Sequence, residues 1–296
     1  MNTPQVVIVT GSSSGFGRLI SETLARHGHT VFASMRDVDG RNTANAAELR
    51  TLADKEGLTI HVLDLNVTDD QSVKLAIQQV IEKTGRIDAV VNNAGISYRG
   101  ALEAFTSDQV QEQFNINVFG VLRVNRAVLP QMRAQGQGLL IQVGSVLGRL
   151  SFPFFGLYSA TKFALEGLTE AYHHELAPFG IDAAIVEPGT YPTNIGKNSV
   201  AADEERLAPY GEKLKQAVLA MRAASMGAGG TPPNSQEVAD AIATLIAMPA
   251  HERPLRTVVA VESQRQAVLP LQKASEEMMP AFLSLLLLSD KSAISH

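Results

Sequence analysis

Tyr158 and Lys162 are four residues apart in Tyr-Ser-Ala-Thr-Lys, and Ser145 lies 13 residues before the tyrosine. On a helix, that four-residue spacing puts the phenol and the ammonium on one face. With a nearby hydroxyl, such a pair can move a proton on or off an oxygen while a hydride moves at the attached carbon. An ordinary tyrosine has a pKa of about 10, and bringing it to neutral pH needs roughly 4 kcal/mol of differential stabilisation. Two cations in a partly desolvated cleft, the lysine and an oxidised nicotinamide, can supply that. Taken alone, the same residues also describe a surface pair on a helix, with Ser145 in a turn.

A second group stands near the N-terminus, in Thr10-Gly11-Ser-Ser13-Ser14-Gly15-Phe16-Gly17. It follows the apolar run Val6 to Thr10 and opens a helix-like stretch, Phe16 to His27. Glycines permit a tight turn and close backbone approach. The start of the helix offers unpaired N–H groups and a partial positive charge. A diphosphate suits that place, although an ordinary strand-to-helix turn uses glycines too. The spacing is GxxxGxG, not the commoner GxGxxG.

The elements that must hold these groups alternate. Short β-branched runs at Val6–Thr10, Thr30–Ala33, Thr59–Leu63, Ile87–Val91, Leu139–Val143, Ile181–Val186 and Thr257–Val261 read as strands. Helical stretches separate them, at Phe16–His27, Gln71–Lys83, Asp108–Met132 and Tyr158–Ala177. Strands with no polar alternation are covered on both faces. The pattern predicts an α/β fold: a doubly wound, mostly parallel, seven-stranded Rossmann-type sheet with helices on both faces and its ligand at the carboxyl ends of the strands. At about 150 residues per domain, 296 residues suggest two domains, yet one large α/β domain fits as well. The reading here is one catalytic domain over 1–296, with a lid insertion at about 190–230 and a C-terminal tail at about 262–296. Asn234-Ser-Gln-Glu237 looks like a capping-box start to a helix after the lid.

Composition narrows the function classes. Apolar residues make up 45% and charged residues 19%, which excludes a disordered chain. Net charge is 25 − 30 = −5, so the basic excess of a nucleic-acid binder is missing. Without cysteine there is no disulfide, thiolate metal site or cysteine nucleophile. His173-His174 does not make a metal site either, because adjacent helix residues point about 100° apart. The start of the chain shows no basic region leading into an apolar stretch, and the longest greasy run, Ala281 to Leu288, is too short to cross a bilayer. A cytoplasmic protein with no membrane span is expected. The apolar tail, from Met278 to Leu288, lacks the basic face of a membrane-surface helix and is expected to pack over the pocket or on another subunit.

Taken in order, TGxxxGxG at 10–17, Asn92-Asn-Ala94-Gly95, Ser145, YxxxK and Pro188-Gly189 resemble the short-chain dehydrogenase/reductase family, in its branch with this glycine turn. The likeness covers about residues 5–261 and points toward the steroid and retinol dehydrogenase side. It implies a catalytic tetrad of Asn117, Ser145, Tyr158 and Lys162. In that tetrad the asparagine holds a water that continues a proton relay through the lysine and the nicotinamide ribose. It implies cofactor contacts at Gly11, Ser13, Ser14, Gly15, Phe16, Gly17, Leu65, Ala94, Gly95, Tyr158 and Lys162. Asp64 matches the family's partner of the adenine amino group. Asn92 matches a residue that ties the central strands together beside the cofactor. Pro188, Gly189 and Thr193 match the segment that meets the carboxamide. A homodimer or homotetramer is expected by analogy.

The end of the second strand reads Ser34-Met35-Arg36-Asp37. An acid at that end binds both ribose hydroxyls of NAD and repels a 2′-phosphate. Here Arg36 stands ready for a phosphate, so NADP(H) is preferred over NAD(H). The competing arrangement turns Asp37 inward and Arg36 to water. The run Phe152-Pro-Phe154-Phe155 suggests a wall for a bulky apolar ketone, aldehyde or alcohol, or else a lid or subunit interface. Two other functions stay open: a 3-oxoacyl thioester reductase, and an NADP-sensing regulator that turns nothing over.

Overall fold

The computed structural model describes residues 3–191, 203–224, 226 and 230–285. Seven parallel strands form one sheet: β1 Val6–Val9, β2 Thr30–Met35, β3 Ile60–Asp64, β4 Ala89–Asn92, β5 Gly138–Val143, β6 Ile181–Pro188 and β7 Arg256–Val259. Their order is β3-β2-β1-β4-β5-β6-β7. The chain thus winds outward one way from β1 and then the other way from β4. These two strands lie side by side, with Ile8 opposite Val90, so the crevice between their carboxyl ends is where a ligand site belongs.

The all-apolar β1 is explained by its two covered faces. Val7 and Val9 pack with Ile20 and Leu24 of α1 (Gly15–Arg26), Leu49 of α2 (Thr43–Glu56) and Val238 and Ile242 of α9 (Gln236–Ala247). Val6 and Ile8 pack with Val73 and Ile77 of α3 (Asp70–Thr84) and Val124 and Val128 of α5 (Gly120–Gln135). Alternate residues of one strand therefore feed two separate cores.

The structure differs from the sequence pattern at several places. The long helical stretch expected from Asp108 is interrupted: α4 (Ser107–Phe114) passes through a π-helical turn, Asn115–Phe119, before α5. Such single turns often mark functional positions, and this one carries Asn117. Around the lid position, α7 (Glu204–Leu207), a 3-10 turn and α8 (Gly211–Ala224) are seen, while 192–202 lies outside the described residues. The helix after it starts without the capping box. Asn234 Oδ1 accepts from Gln236 N at 3.0 Å, and the Glu237 side chain turns elsewhere. The tail is a 24-residue helix, α10 (Glu262–Leu285), whose Val268 packs on Val146 and Val258. Among the described residues no helix is long and apolar enough to cross a membrane.

Ile8 is fully buried in the central strand. Ile8→Ala should lower stability by about 2–5 kcal/mol. The check is the denaturant midpoint, and a loss below about 1 kcal/mol would show that this strand is not the centre of the core.

Candidate active site

The glycine turn after β1 is built by backbone contact. Gly11 and Gly15 have φ of 70° and 57°, the left-handed region that side chains avoid. A Cβ on Gly17 would lie 2.3 Å from the Gly11 carbonyl oxygen and 2.5 Å from Asn93 Nδ2. Asn93 is what closes this turn. Its Nδ2 donates to the carbonyls of Thr10 (2.8 Å) and Gly11 (3.2 Å), and its own N–H donates to Thr10 Oγ1 (3.0 Å). Ala94 N donates to the same hydroxyl at 3.0 Å. Ser14 precedes α1 without capping it through its side chain, so the first N–H groups of the helix stay open beside Ser13 and Phe16. The result is a concave backbone surface with a helix dipole aimed at it, which fits the diphosphate of a nicotinamide dinucleotide.

The other residues expected to meet a cofactor surround that turn. Asp64 ends β3; its Oδ1 accepts the Asp37 N–H at 2.9 Å. Leu65 is buried, and its N–H donates to the Met35 carbonyl at 3.1 Å. Arg36 and Asp37 are exposed beyond β2. The Asp37 carboxylate accepts from Arg41 N at 2.9 Å within its own loop. Asn92 is buried and donates to Asn125 Oδ1 (2.8 Å) and Gln142 Oε1 (2.9 Å), tying β4 to α5 and β5. Gly95 faces Asn117, whose Oδ1 would lie 3.3 Å from a Cβ there. Thr193 lies outside the described residues.

The residues expected to carry proton transfer gather at the ends of β5 and β6 and the start of α6 (Gly156–Leu176). Lys162 is buried, with Nζ 5.5 Å from the centre of the Tyr158 ring and donating to the Val143 carbonyl at 2.7 Å. Ser145 Oγ accepts the Leu147 N–H at 3.1 Å and donates to the Pro188 carbonyl at 3.4 Å. Asn117 bridges to Ile96 in both directions, at 2.9 Å each, and donates to Thr161 Oγ1 at 3.1 Å. The turn, the tetrad positions and Pro188-Gly189 are thus brought to one end of the sheet.

The expected acidity of the Tyr158 phenol includes a bound oxidised nicotinamide, and the chain alone holds the phenol up. Burial pushes it up to about 12, against a smaller opposing effect of the Ser145 hydrogen bond. Burial also lowers Lys162 to about 8, with Glu166 opposing. A protonated phenol beside a charged lysine is therefore the resting form near neutral pH.

Three supporting residues escape sequence reasoning. Gln264 of α10 accepts Thr190 N at 3.1 Å and donates to Thr190 Oγ1 at 3.2 Å, next to Gly189. Tyr191 donates to Glu237 at 2.8 Å and presents its ring edge to Phe16 at 5.6 Å. Asn93 is the third. Only the asparagine pair after β4 carried a local signal. Of the aromatic run, Phe154 packs against Tyr210 of the lid region, with ring centres 6.0 Å apart, so it serves an interface within the chain. His173 and His174 stack edge to face at 5.3 Å. Among the described residues no cluster of metal-ligating side chains is seen.

A backbone cradle at the switch point of a parallel sheet, beside a serine, a tyrosine and a lysine at neighbouring strand ends, defines a nicotinamide-dependent oxidoreductase. The family profile described as short chain dehydrogenase matches residues 5–204, and the chain belongs to that family. It is 38% identical to 3-ketodihydrosphingosine reductase from Bacteroides thetaiotaomicron, across 66% of this chain and 67% of that one. It is also 38% identical to human 17-beta-hydroxysteroid dehydrogenase type 1, across 68% of this chain and 61% of that one. Among solved structures, a short-chain dehydrogenase from Streptomyces avermitilis superposes with a TM-score of 0.74 at 33% identity, covering 94% of this chain and 96% of that one.

Gly17→Ala would force a methyl into the turn. Overpacking of this kind costs about 1–3 kcal/mol, so dinucleotide affinity should fall roughly tenfold or more in a fluorescence titration. Unchanged affinity would show that the turn is not the diphosphate site.

Proposed function

We propose that this chain is an NADP-dependent oxidoreductase that interconverts bulky apolar ketones or aldehydes and their alcohols. The observation that carries the reading is Lys162 anchored to the end of β5 with its ammonium beside the Tyr158 ring. The bound dinucleotide supplies the hydride. Ser145 holds the substrate oxygen, and Tyr158 donates its proton to that oxygen as negative charge develops. The ammonium of Lys162 steadies the phenolate left behind. Asn117 braces Ile96 against the start of α6 through Thr161.

Cofactor choice rests on Arg36. Among the described residues its guanidinium makes no hydrogen bond or ion pair, and β2 ends without an acid. Asp37, the competing group, is spent inside its own loop. A 2′-phosphate is the partner that suits this arrangement. Substrate class rests on the apolar cluster of Tyr98, Phe105 and Leu157, against which Phe154 and, from the lid region, Leu207 and Tyr210 pack, so that the lid meets the body of the chain through apolar side chains. The names of the two relatives, a ketodihydrosphingosine reductase and a hydroxysteroid dehydrogenase, agree with a long or polycyclic apolar skeleton.

A panel of hydrophobic ketones, with NADPH consumption followed, tests the activity. Tyr158→Phe should lower turnover by about 10²–10⁴-fold and keep cofactor affinity. Full activity in that variant would remove Tyr158 from the chemistry. Arg36→Ala should weaken NADPH binding by about tenfold or more and leave NADH little changed; equal loss for both would defeat the NADP reading.

A further inference from the structure

Behind the Tyr158–Lys162 pair lies a cluster of charges that the chemistry above does not use. Glu187 is the last residue of β6 before Pro188 and is completely buried. Neither of its oxygens has a hydrogen-bond donor. The closest cation, Arg256 Nε on β7, is 3.9 Å away. That same Nε is 2.9 Å from Glu166 Oε2, and Arg256 Nη2 is 2.9 Å from Glu170. Arg149, just past the turn that follows β5, stands 3.5 Å from Glu166. Glu166 Oε1 also lacks a donor. So three carboxyls face two guanidiniums, three carboxyl oxygens touch no donor, and Glu187 lies within hydrogen-bond reach of Glu166. Lys162 lies one helical turn from Glu166, and His174 lies beyond Glu170.

A buried carboxylate without a donor is costly. Moving one proton onto Glu187 resolves the arrangement. It becomes a donor to Glu166 Oε1, and the cluster is left with two carboxylates against two guanidiniums. We propose that Glu187 is a neutral carboxylic acid hydrogen-bonded to Glu166, and a positioning residue that acts on Lys162 through Glu166. Burial and the neighbouring Glu166 both push its carboxyl up, to about 8. Glu166 is the carboxylate that supports the Lys162 ammonium; when Glu187 ionises, it withdraws its hydrogen bond from Glu166, whose fuller negative charge then holds the lysine's proton to higher pH. The role assigned to Lys162 rests on the function proposed above; the neutral state of Glu187 does not.

The sign of the linkage gives the test. Between about 4.5 and 8 the fold keeps a proton that the unfolded chain has lost. Unfolding then releases a proton, and stability falls as pH rises through that window. Glu187→Gln, a neutral isostere, lacks this term. The ratio of unfolding constants, wild type over variant, should rise about tenfold per pH unit from roughly pH 5 to 8. In infrared spectra of the wild type at neutral pH, a buried carboxylic-acid C=O band should appear and be missing in the variant. The alkaline limb of kcat/KM for ketone reduction should move to lower pH in the variant, because Lys162 then titrates without the extra negative charge.

A pH-independent ratio, no acid band in the wild type, or a variant that fails to fold would each overturn the proposal, the last because an ionised carboxylate would then be required. A lost slope with an unmoved alkaline limb would remove the positioning role. If the wild type reduces no ketone at all, the activity reading fails, while the unfolding and infrared results still decide the state of Glu187.

Discussion

An ammonium taken out of water must be compensated, and Lys162 meets that demand through the Val143 carbonyl at the end of β5, 2.7 Å away. Much of the site's geometry follows from this contact. It fixes the start of α6 against the sheet, and so sets where the Tyr158 ring lies. It also places Glu166, one turn along the helix, over the interior rather than in solvent. Removing the amine would leave the strand end, the phenol and the cluster below without a common anchor.

The same helix therefore serves two environments. Its outer turn presents a phenol and an amine to the cleft. Its next turn carries Glu166 and Glu170 into a largely buried group with Arg149, Arg256 and Glu187. Low polarity raises the proton affinity of the phenol and lowers that of the amine, since burial disfavours whichever form is charged. Both effects favour a proton resting on Tyr158. The chain by itself is thus arranged as a proton donor, and the acidification expected from an adjacent cation is outweighed by desolvation.

A second theme is support from distant sequence. Gln264, on the helix formed by the tail, holds Thr190. Glu237, on the helix that follows the lid, holds Tyr191 against Phe16 of the glycine turn. Asn93 ties the β4 loop to that same turn. These contacts link the C-terminal third of the chain to a cradle made by its first twenty residues. A change in the tail would reach the cofactor end of the site through the segment after Pro188.

Much was legible in the order of residues. The strands announce themselves because β1, β4, β5 and β6 are covered on both faces; β1 is wholly apolar, and the others depart from that only at Asn92, Gln142, Asp182 and Glu187. The glycine turn and the Tyr158–Lys162 spacing are local patterns, fixed by turn geometry and by the helical repeat. What stayed hidden was non-local or had no period. Helix α2 buries chiefly Ala46, Leu49 and Ala53, too little to write an apolar stripe. The π-helical turn at Asn117 joins α4 to α5 with no glycine or proline within it to announce it. Whether Tyr158 is acidic, whether Asp37 turns in or out, and whether Glu187 has a donor depend on what surrounds each group. Only the folded chain decides that, because solvation and pairing are set by neighbours far away in sequence.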